Sequence, residues 1–330
     1  MKIVTLGEIM LRLSPAGAER IVQADSFCVQ YGGAEANVAV ALAGWGAEAF
    51  FASKVPYGEI GQSAVNALKR YGVDTKFVLR GGERLGLYYL EQGAGQRPSK
   101  VIYDRKGSAF ACSAAEEYDF DALFAGADWF HLTGITPALG ENVQKIAESA
   151  CRAAKRAGAK ISFDLNYRSS LWSKEEAKRA FDVLLGYTDV CITNESQMRD
   201  FYGIVPAARE EGCGYAARFL KEKFGVGYTA FTYRKTVGTG ETVCGALSDG
   251  TASYMSDEFA VAGVERIGSG DAFAAGLIYS LCVGEPLRAA VRFAAAASCL
   301  KNTVRGDFCL LDKEEIAEFA QGKKYFGVKR

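Results

Sequence analysis

The sequence predicts an α/β fold: a doubly wound, mainly parallel sheet with a small antiparallel β-sheet lid, formed by a single domain over residues 1–330. Three observations predict it. Short β-rich runs alternate with helical periodicity along most of the chain. No repeat of about 20 to 50 residues and no low-complexity tract competes with that alternation. Two stretches, at about 9–31 and 84–105, break it with strand-like patterns that have no helix between their pieces.

The elements follow in order. Lys2 to Leu6 is a short β-rich run, and the Ala/Val-rich segment Glu35 to Ala43 reads as a helix that stops at Gly44 and Gly46. Ala49 to Ser53 is the next strand. Ile60, Ala64, Ala67, Leu68 and Tyr71 recur at helical spacing, with Gly72 as the stop. Downstream, Trp129 to Leu132, Ile161 to Asp164, Val190 to Thr193 and Tyr228 to Thr232 are apolar runs separated by helical segments near 140–157, 174–185 and 212–224. Such alternation builds a parallel sheet whose ligands sit at the carboxyl ends of the strands. In the two interrupting stretches, Leu11 and Leu13, Leu85, Leu87 and Tyr89, and Val101 and Tyr103 alternate as strands do. A flap of this kind, carrying Tyr88, Tyr89, Tyr103 and Arg105, can close over a small molecule and exclude water, or pack against a second subunit; the two roles are compatible.

Composition narrows the function. A chain of 330 residues with 49% hydrophobic and 24% charged residues is an ordinary globular protein. Its 39 basic and 39 acidic side chains cancel, which argues against nucleic acid or an anionic membrane as partner; an anionic ligand must be held locally. Glu8 and Arg12 interrupt the first apolar stretch before an export signal forms, and the apolar run Ala272 to Gly284 is too short to span a bilayer, so a cytoplasmic location is expected. The nine cysteines, an odd number with no Cys-x-x-Cys pair, fit free thiols in a reducing compartment. The single histidine, His131, rules out His-rich metal cages and a Ser-His-Asp triad on any other histidine. Amid apolar neighbours at a strand end, it reads as a hydrogen-bonded core group.

Four short segments carry candidate chemistry. In Ile267-Gly268-Ser269-Gly270-Asp271-Ala272-Phe273 glycines deliver the amino terminus of an apolar helix, where backbone N–H groups and the helix end suit a phosphate. A carboxylate at Asp271 repels phosphate unless it has a second task, such as general base toward a hydroxyl; a glycine turn with Asp271 as a helix cap explains the same residues. Tyr31-Gly32-Gly33-Ala34-Glu35-Ala36-Asn37 permits close backbone approach to a ligand, or is simply a hinge. Asp164-Leu165-Asn166-Tyr167-Arg168 follows a strand and offers cation, hydroxyl and anion contacts. Thr193-Asn194-Glu195-Ser196 also follows a strand, with Asn194 alternatively a helix cap. No Gly-x-x-x-x-Gly-Lys-[Ser/Thr] exists, and Gly44-x-Gly46-x-x-Ala49 closes a helix rather than opening one, the reverse of a dinucleotide site.

Together these residues resemble the ribokinase-like (PfkB-type) carbohydrate kinases over essentially the whole chain. Gly32-Gly33-Ala34-Glu35-Ala36-Asn37 is similar to the family's amino-terminal signature, and Gly268-Ser269-Gly270-Asp271-Ala272-Phe273 to its Gly-Ala-Gly-Asp signature. Gly7 to Pro15, Tyr103-Asp104-Arg105, Asp164 to Arg168 and Arg266 to Asp271 are similar to the branch that acts on 2-keto-3-deoxygluconate. The resemblance implies an ATP-dependent phosphorylation of that sugar acid to its 6-phosphate, with Asp271 as base and Gly268, Ser269 and Gly270 as an anion hole. It implies sugar-acid contacts from Gly33, Tyr89, Tyr103, Arg105, Arg168 and Asp307. ATP contacts are implied for Asn194, Thr232, Arg234 and Gly268 to Gly270. Mg²⁺ is expected near Asp164 and Glu195 through water, a monovalent cation is compatible with the site, and assembly with further copies is expected through the lid. Arg105 and Arg168 agree with a carboxylate-bearing substrate, since forked guanidinium donors suit it.

Two departures stand out. Where the family often shows Asn-x-x-Glu, this chain has Asn194 followed three residues later by Gln197, whose amide lacks that charge; Asp164 or Glu195 compensates. Thr232-Tyr233-Arg234-Lys235-Thr236 is not the Lys-Gly-Ala type common at the nucleotide side. The alternatives are a fructose or ribose kinase on the same scaffold, or a non-catalytic sugar or nucleotide sensor, which would be stabilised by ligand without turnover.

Overall fold

A computed structural model describes residues 1–206, 209–238 and 240–323. The chain opens with β1 (Lys2–Leu6), enters the flap as β2 (Met10–Ser14) and β3 (Cys28–Gly32), and returns through α1 (Ala34–Gly44) and β4 (Glu48–Val55). After α2 (Glu59–Lys69) and β5 (Val78–Arg80), the flap is completed by β6 (Gly86–Glu91) and β7 (Lys100–Asp104). Then come α3 (Phe120–Phe124), β8 (Trp129–Thr133), α4 (Glu141–Arg156), β9 (Lys160–Asp164), α5 (Lys174–Leu185), β10 (Val190–Thr193), α6 (Glu195–Tyr202), α7 (Arg209–Phe224) and β11 (Tyr228–Val237). The chain continues as β12 (Gly240–Ser248), β13 (Ser253–Met255), β14 (Phe259–Val261), α8 (Ser269–Cys282), α9 (Leu287–Lys301) and α10 (Lys313–Ala320).

The main sheet runs β13-β12-β11-β10-β9-β8-β1-β4-β5, with β14 also on β12. It is parallel from β11 through β5, as the alternation predicts, and antiparallel at the β12 end. That antiparallel extension is not visible in the hydrophobic pattern, because β11 continues past Thr232 through polar Arg234, Lys235 and Thr236. Both faces of the sheet are covered, so apolar residues run consecutively along its strands, with buried Thr5, His131 and Ser162 among them. On β1, Val4 joins the core beneath α4, α5 and α7, while its neighbour Ile3 joins the core beneath α1, α8 and α9. Local signals set the helix bounds. Ser173 Oγ accepts from the Glu176 N–H at 3.2 Å and the Glu176 carboxylate accepts from the Ser173 N–H at 2.8 Å, a capping box that starts α5 at Lys174. The apolar run from Ala272 is buried in α8, and no helix among the described residues is long and apolar enough to cross a membrane. None of the nine cysteines forms a disulfide.

The flap is a separate four-stranded sheet, β3-β2-β6-β7. Its two hairpins are antiparallel and meet along a parallel pair, β2 with β6, because each hairpin starts from the core at the same end. Register decides which side chains look inward. Arg12, Tyr88 and Tyr103 lie in one row across β2, β6 and β7, and Leu13, Tyr89 and Ile102 lie in the next row, on the opposite face.

Candidate active site

Strand ends of β8, β9 and β10, the underside of the flap and the amino terminus of α8 enclose a cavity of about 820 Å³. It stands where a doubly wound sheet places its ligands.

Gly268 makes the α8 terminus possible. It has φ +82°, and a Cβ there would stand 2.1 Å from the Asp307 carbonyl oxygen, so glycine alone fits. The first-turn amides that follow are those a helix leaves without an internal acceptor, and they carry its positive end; of these, Ser269 N–H donates to the Arg266 carbonyl at 3.3 Å in the turn before it. Ser269 Oγ accepts from Arg234 Nη2 at 3.1 Å, and a Cβ on Gly270 would meet nothing within 4 Å, so backbone there is open to a ligand. Asp271 does not cap this helix, which has no side-chain cap. Its Oδ2 instead accepts from Asn37 Nδ2 at 2.6 Å, and Asn37 Oδ1 accepts from the Gly33 N–H at 3.3 Å. One amide side chain thereby ties the two glycine segments together. Burial pushes the Asp271 carboxyl up to about 7; the Asn37 bond opposes the rise, the charges of Asp307 and Glu35 add to it, and Arg168 pulls it down.

The first glycine segment is more than a hinge. Gly33 lines the cavity, and a Cβ on it would overlap the Glu8 carbonyl oxygen at 2.0 Å. Glu35 in the first turn of α1 is buried, and its Oε1 accepts from Thr133 N at 2.9 Å, Thr133 Oγ1 at 2.8 Å and Thr136 Oγ1 at 2.7 Å, which pins α1 to the end of β8.

Two flap expectations change. Tyr89 does not line the cavity; it faces the other way and meets Phe27 edge-on, with ring centroids 6.0 Å apart, because the two-residue strand period puts Tyr88 on the inner side. Arg105 lines the cavity, but its guanidinium is already paired with Glu8, Nε to Oε2 at 2.7 Å, with both side chains buried. Asp307 is likewise engaged: its carboxylate takes Arg12 Nη1 at 2.8 Å and the Tyr88 hydroxyl, and Arg12 also pairs with Glu265. Burial raises the Asp307 carboxyl, opposed chiefly by Arg12. Arg168 is exposed at the cavity wall, with no ion-pair partner among the described residues.

The remaining residues converge. Asp164, Asn194, Glu195, Thr232 and Arg234 all line the cavity. Asp164 is pushed up to about 7 by burial and by the charge of Asp271, against the Asn166 N–H that its Oδ1 accepts at 3.0 Å. Asn194 does cap α6, accepting from the Gln197 N–H at 3.0 Å, and Gln197 Oε1 takes the Thr193 hydroxyl at 2.9 Å. Arg234 pairs with Glu241 at 2.7 Å. No group of three or more His, Cys, Asp and Glu side chains among the described residues is arranged to hold a metal ion. The oxygen donors of Asp164 and Glu195 suit a hard cation carried largely by phosphates and water rather than one caged by protein. His131 is buried, its Nδ1 is 2.8 Å from Ser162 Oγ, and burial lowers it to about 3, so it is a neutral core group. Sequence reasoning assigned no role to Glu8, Arg12 or Asn37, whose partners lie 97, 295 and 234 residues away.

The profile of the pfkB family carbohydrate kinases matches residues 1–308. The chain belongs to that family. Among curated relatives, the 2-dehydro-3-deoxygalactonokinase of Haloferax volcanii is 35% identical over 325 residues, covering 97% of each chain. The 2-dehydro-3-deoxygluconokinase of Thermoproteus tenax is 30% identical over 324 residues, covering 96% of this chain and 93% of the relative. Among solved structures, the 2-dehydro-3-deoxygluconokinase of Thermotoga maritima has a TM-score of 0.94 at 42% identity, covering 98% of each chain. This pfkB family member is thus an enzyme, a carbohydrate kinase, with the ribokinase-like fold that its two glycine segments implied.

Proposed function

We propose that this kinase transfers the γ-phosphoryl group of ATP to the primary hydroxyl of 2-keto-3-deoxygluconate (2-dehydro-3-deoxygluconate) or its galactonate epimer, giving the 6-phosphate. The observation that carries the reading is the Asp271 carboxylate, held by Asn37 in the first turn of α8 beside the open backbone of Gly268 to Gly270. A carboxyl raised to about 7 is a stronger base than an ordinary aspartate and is still ionised in part at neutral pH. Asp271 takes the proton of the attacking hydroxyl, the new O–P bond forms as the bond to the ADP oxygen breaks, and charge gathering on the phosphoryl oxygens meets the amides of Gly268, Ser269 and Gly270. Positioning and electrostatics supply most of the acceleration.

On the nucleotide side, Arg234 bonded to Ser269 supports a phosphate contact, with Asn194 and Thr232 along the same wall. Asp164 and Glu195 would hold Mg²⁺ through water; when bound, the ion screens phosphate charge. On the sugar side, the exposed guanidinium of Arg168 and the Glu8-oriented Arg105 support a substrate carboxylate, with Gly33, Tyr103 and Asp307 around the hydroxyls. The relatives named above act on acids of this kind by their names. The flap's outer row, with Val29 and Ile102 exposed beside Leu13 and Tyr89, supports pairing of two copies; a monomer in sedimentation equilibrium would remove that part.

An ATP-consumption assay over the two 3-deoxy sugar acids, fructose and ribose tests the substrate. The expected result is kcat/KM at least about a hundredfold higher for a sugar acid than for either neutral sugar. Preference for a neutral sugar would overturn the assignment, and ligand-induced stabilisation without turnover would favour the sensor alternative.

A further inference from the structure

Lys301, the last residue of α9, is fully buried, and none of the steps above uses it. Its Nζ donates to the carbonyl oxygens of Gly306 at 2.6 Å and Val304 at 3.1 Å. Its Cε lies 3.2 Å from where a Cβ on Gly268 would stand, immediately behind the turn that opens α8. The carbonyl of Asp307 closes on the same point at 2.1 Å. The loop carrying these carbonyls is tied elsewhere as well, since the Gly306 N–H donates to Glu265 at 2.9 Å. A buried ammonium is costly to desolvate, and two backbone carbonyls are its observed partners, with the carboxylates of Glu265 and Asp307 acting on it through space. Its location distinguishes it from an ordinary buried lysine: the charge sits at the back of the amide cup.

We propose that Lys301 is a positioning residue for phosphoryl transfer, a resident cation that clamps the Val304–Gly306 carbonyls behind Gly268 and so fixes the amides that receive the phosphate. The inference rests on the reading of Gly268 to Gly270 as the anion hole. It assigns Lys301 two effects on one substrate: the clamp sets the direction of the N–H groups, and the charge behind them favours an anion in front. On the sugar-acid side only Asp307 acts on Lys301, and Arg12 and Tyr88 hold that carboxylate in place, so the effect falls on the nucleotide.

The test uses the full chain in two forms. In Lys301→Met, which keeps length and removes charge, calorimetry with a non-hydrolysable ATP analogue should show affinity reduced about tenfold, and kcat should fall while the KM for sugar acid stays within about twofold. In the parent protein labelled with ¹⁵N-lysine, the Lys301 ammonium resonance, assigned by its absence from the variant or from a Lys301→Arg control, should move on addition of the ATP analogue and stay put on addition of sugar acid alone. Analogue affinity and kcat within about twofold of the parent would overturn the proposal. If the variants do not fold, the slowly exchanging ammonium signal of the parent decides, because Lys301 is the one buried lysine among the described residues, and indifference to the analogue would overturn it equally. The binding and resonance readouts need no phosphoryl acceptor, so failure to turn over any sugar acid would sink the substrate assignment without touching this one.

Discussion

Asn37 Nδ2 donates to Asp271 Oδ2 at 2.6 Å, joining the start of α1 to the start of α8 across 234 residues of chain. The bond holds the carboxylate toward the cavity and offsets part of the burial that raises it. Removing it with Asn37→Ala should raise Asp271 further. A hydrogen bond to a charged group is worth roughly 1.5–3 kcal/mol, and one pH unit is about 1.4 kcal/mol, so the acidic limb of kcat/KM should move up by about one to two units. An unmoved limb would separate this bond from the ionisation that controls turnover.

Asp271 also makes a prediction for stability. Its folded-state value of about 7 lies above that of an unfolded aspartate, so its contribution is fully present below about 4 and is lost as pH rises through about 7. Asp271→Asn, which imitates the protonated form, should melt higher than the parent at pH 8, with the difference shrinking as pH falls toward 4. Thermal melts across that window check it; a gap that is constant with pH would contradict the raised ionisation.

Arg105 and Arg168 carry different burdens. Arg105 is held by Glu8, whereas Arg168 has no ion-pair partner among the described residues. Substituting either by alanine should raise the KM for sugar acid about tenfold or more and leave that for ATP within about twofold. Arg105→Ala should also destabilise the fold, because it strands buried Glu8, while Arg168→Ala should not. Steady-state kinetics with denaturant titrations separate the two.

Arg12 tethers the flap to the core through Asp307 and Glu265; Arg12 and Asp307 are buried and Glu265 is partly buried. Arg12→Met removes the one cation among the described residues that pairs with both carboxylates and should cost roughly 3–5 kcal/mol of unfolding free energy at neutral pH. Lowering the pH should recover part of this as Asp307, already raised by burial, takes up a proton. Urea melts of both proteins at two pH values measure it.

Much of the main sheet is legible in the sequence because parallel strands buried on both faces are predominantly apolar: Lys2 to Leu6 and Val190 to Thr193 match their strands end to end. The flap obeys another rule. Its polar row turns inward, so Leu87 and Tyr89 mark the outer phase of β6, Leu85 precedes the strand and is buried in the core, and Tyr88 is the residue that meets Asp307. Among site residues, local motifs disclosed Gly268 to Asp271 because glycine before an apolar helix carries meaning by itself. Glu8 and Asn37 lie within the segments Gly7 to Pro15 and Gly32 to Asn37, but nothing local shows which partners they meet. Their importance comes from Arg105 and Asp271, brought to them by the topology.

Single-turnover transfer from γ-labelled ATP to 2-keto-3-deoxygluconate by Asp271→Asn tests the central claim most directly. The rate should fall by about 10² to 10⁴ while ATP affinity stays within about threefold of the parent. Transfer at the parent rate would show that another group accepts the proton.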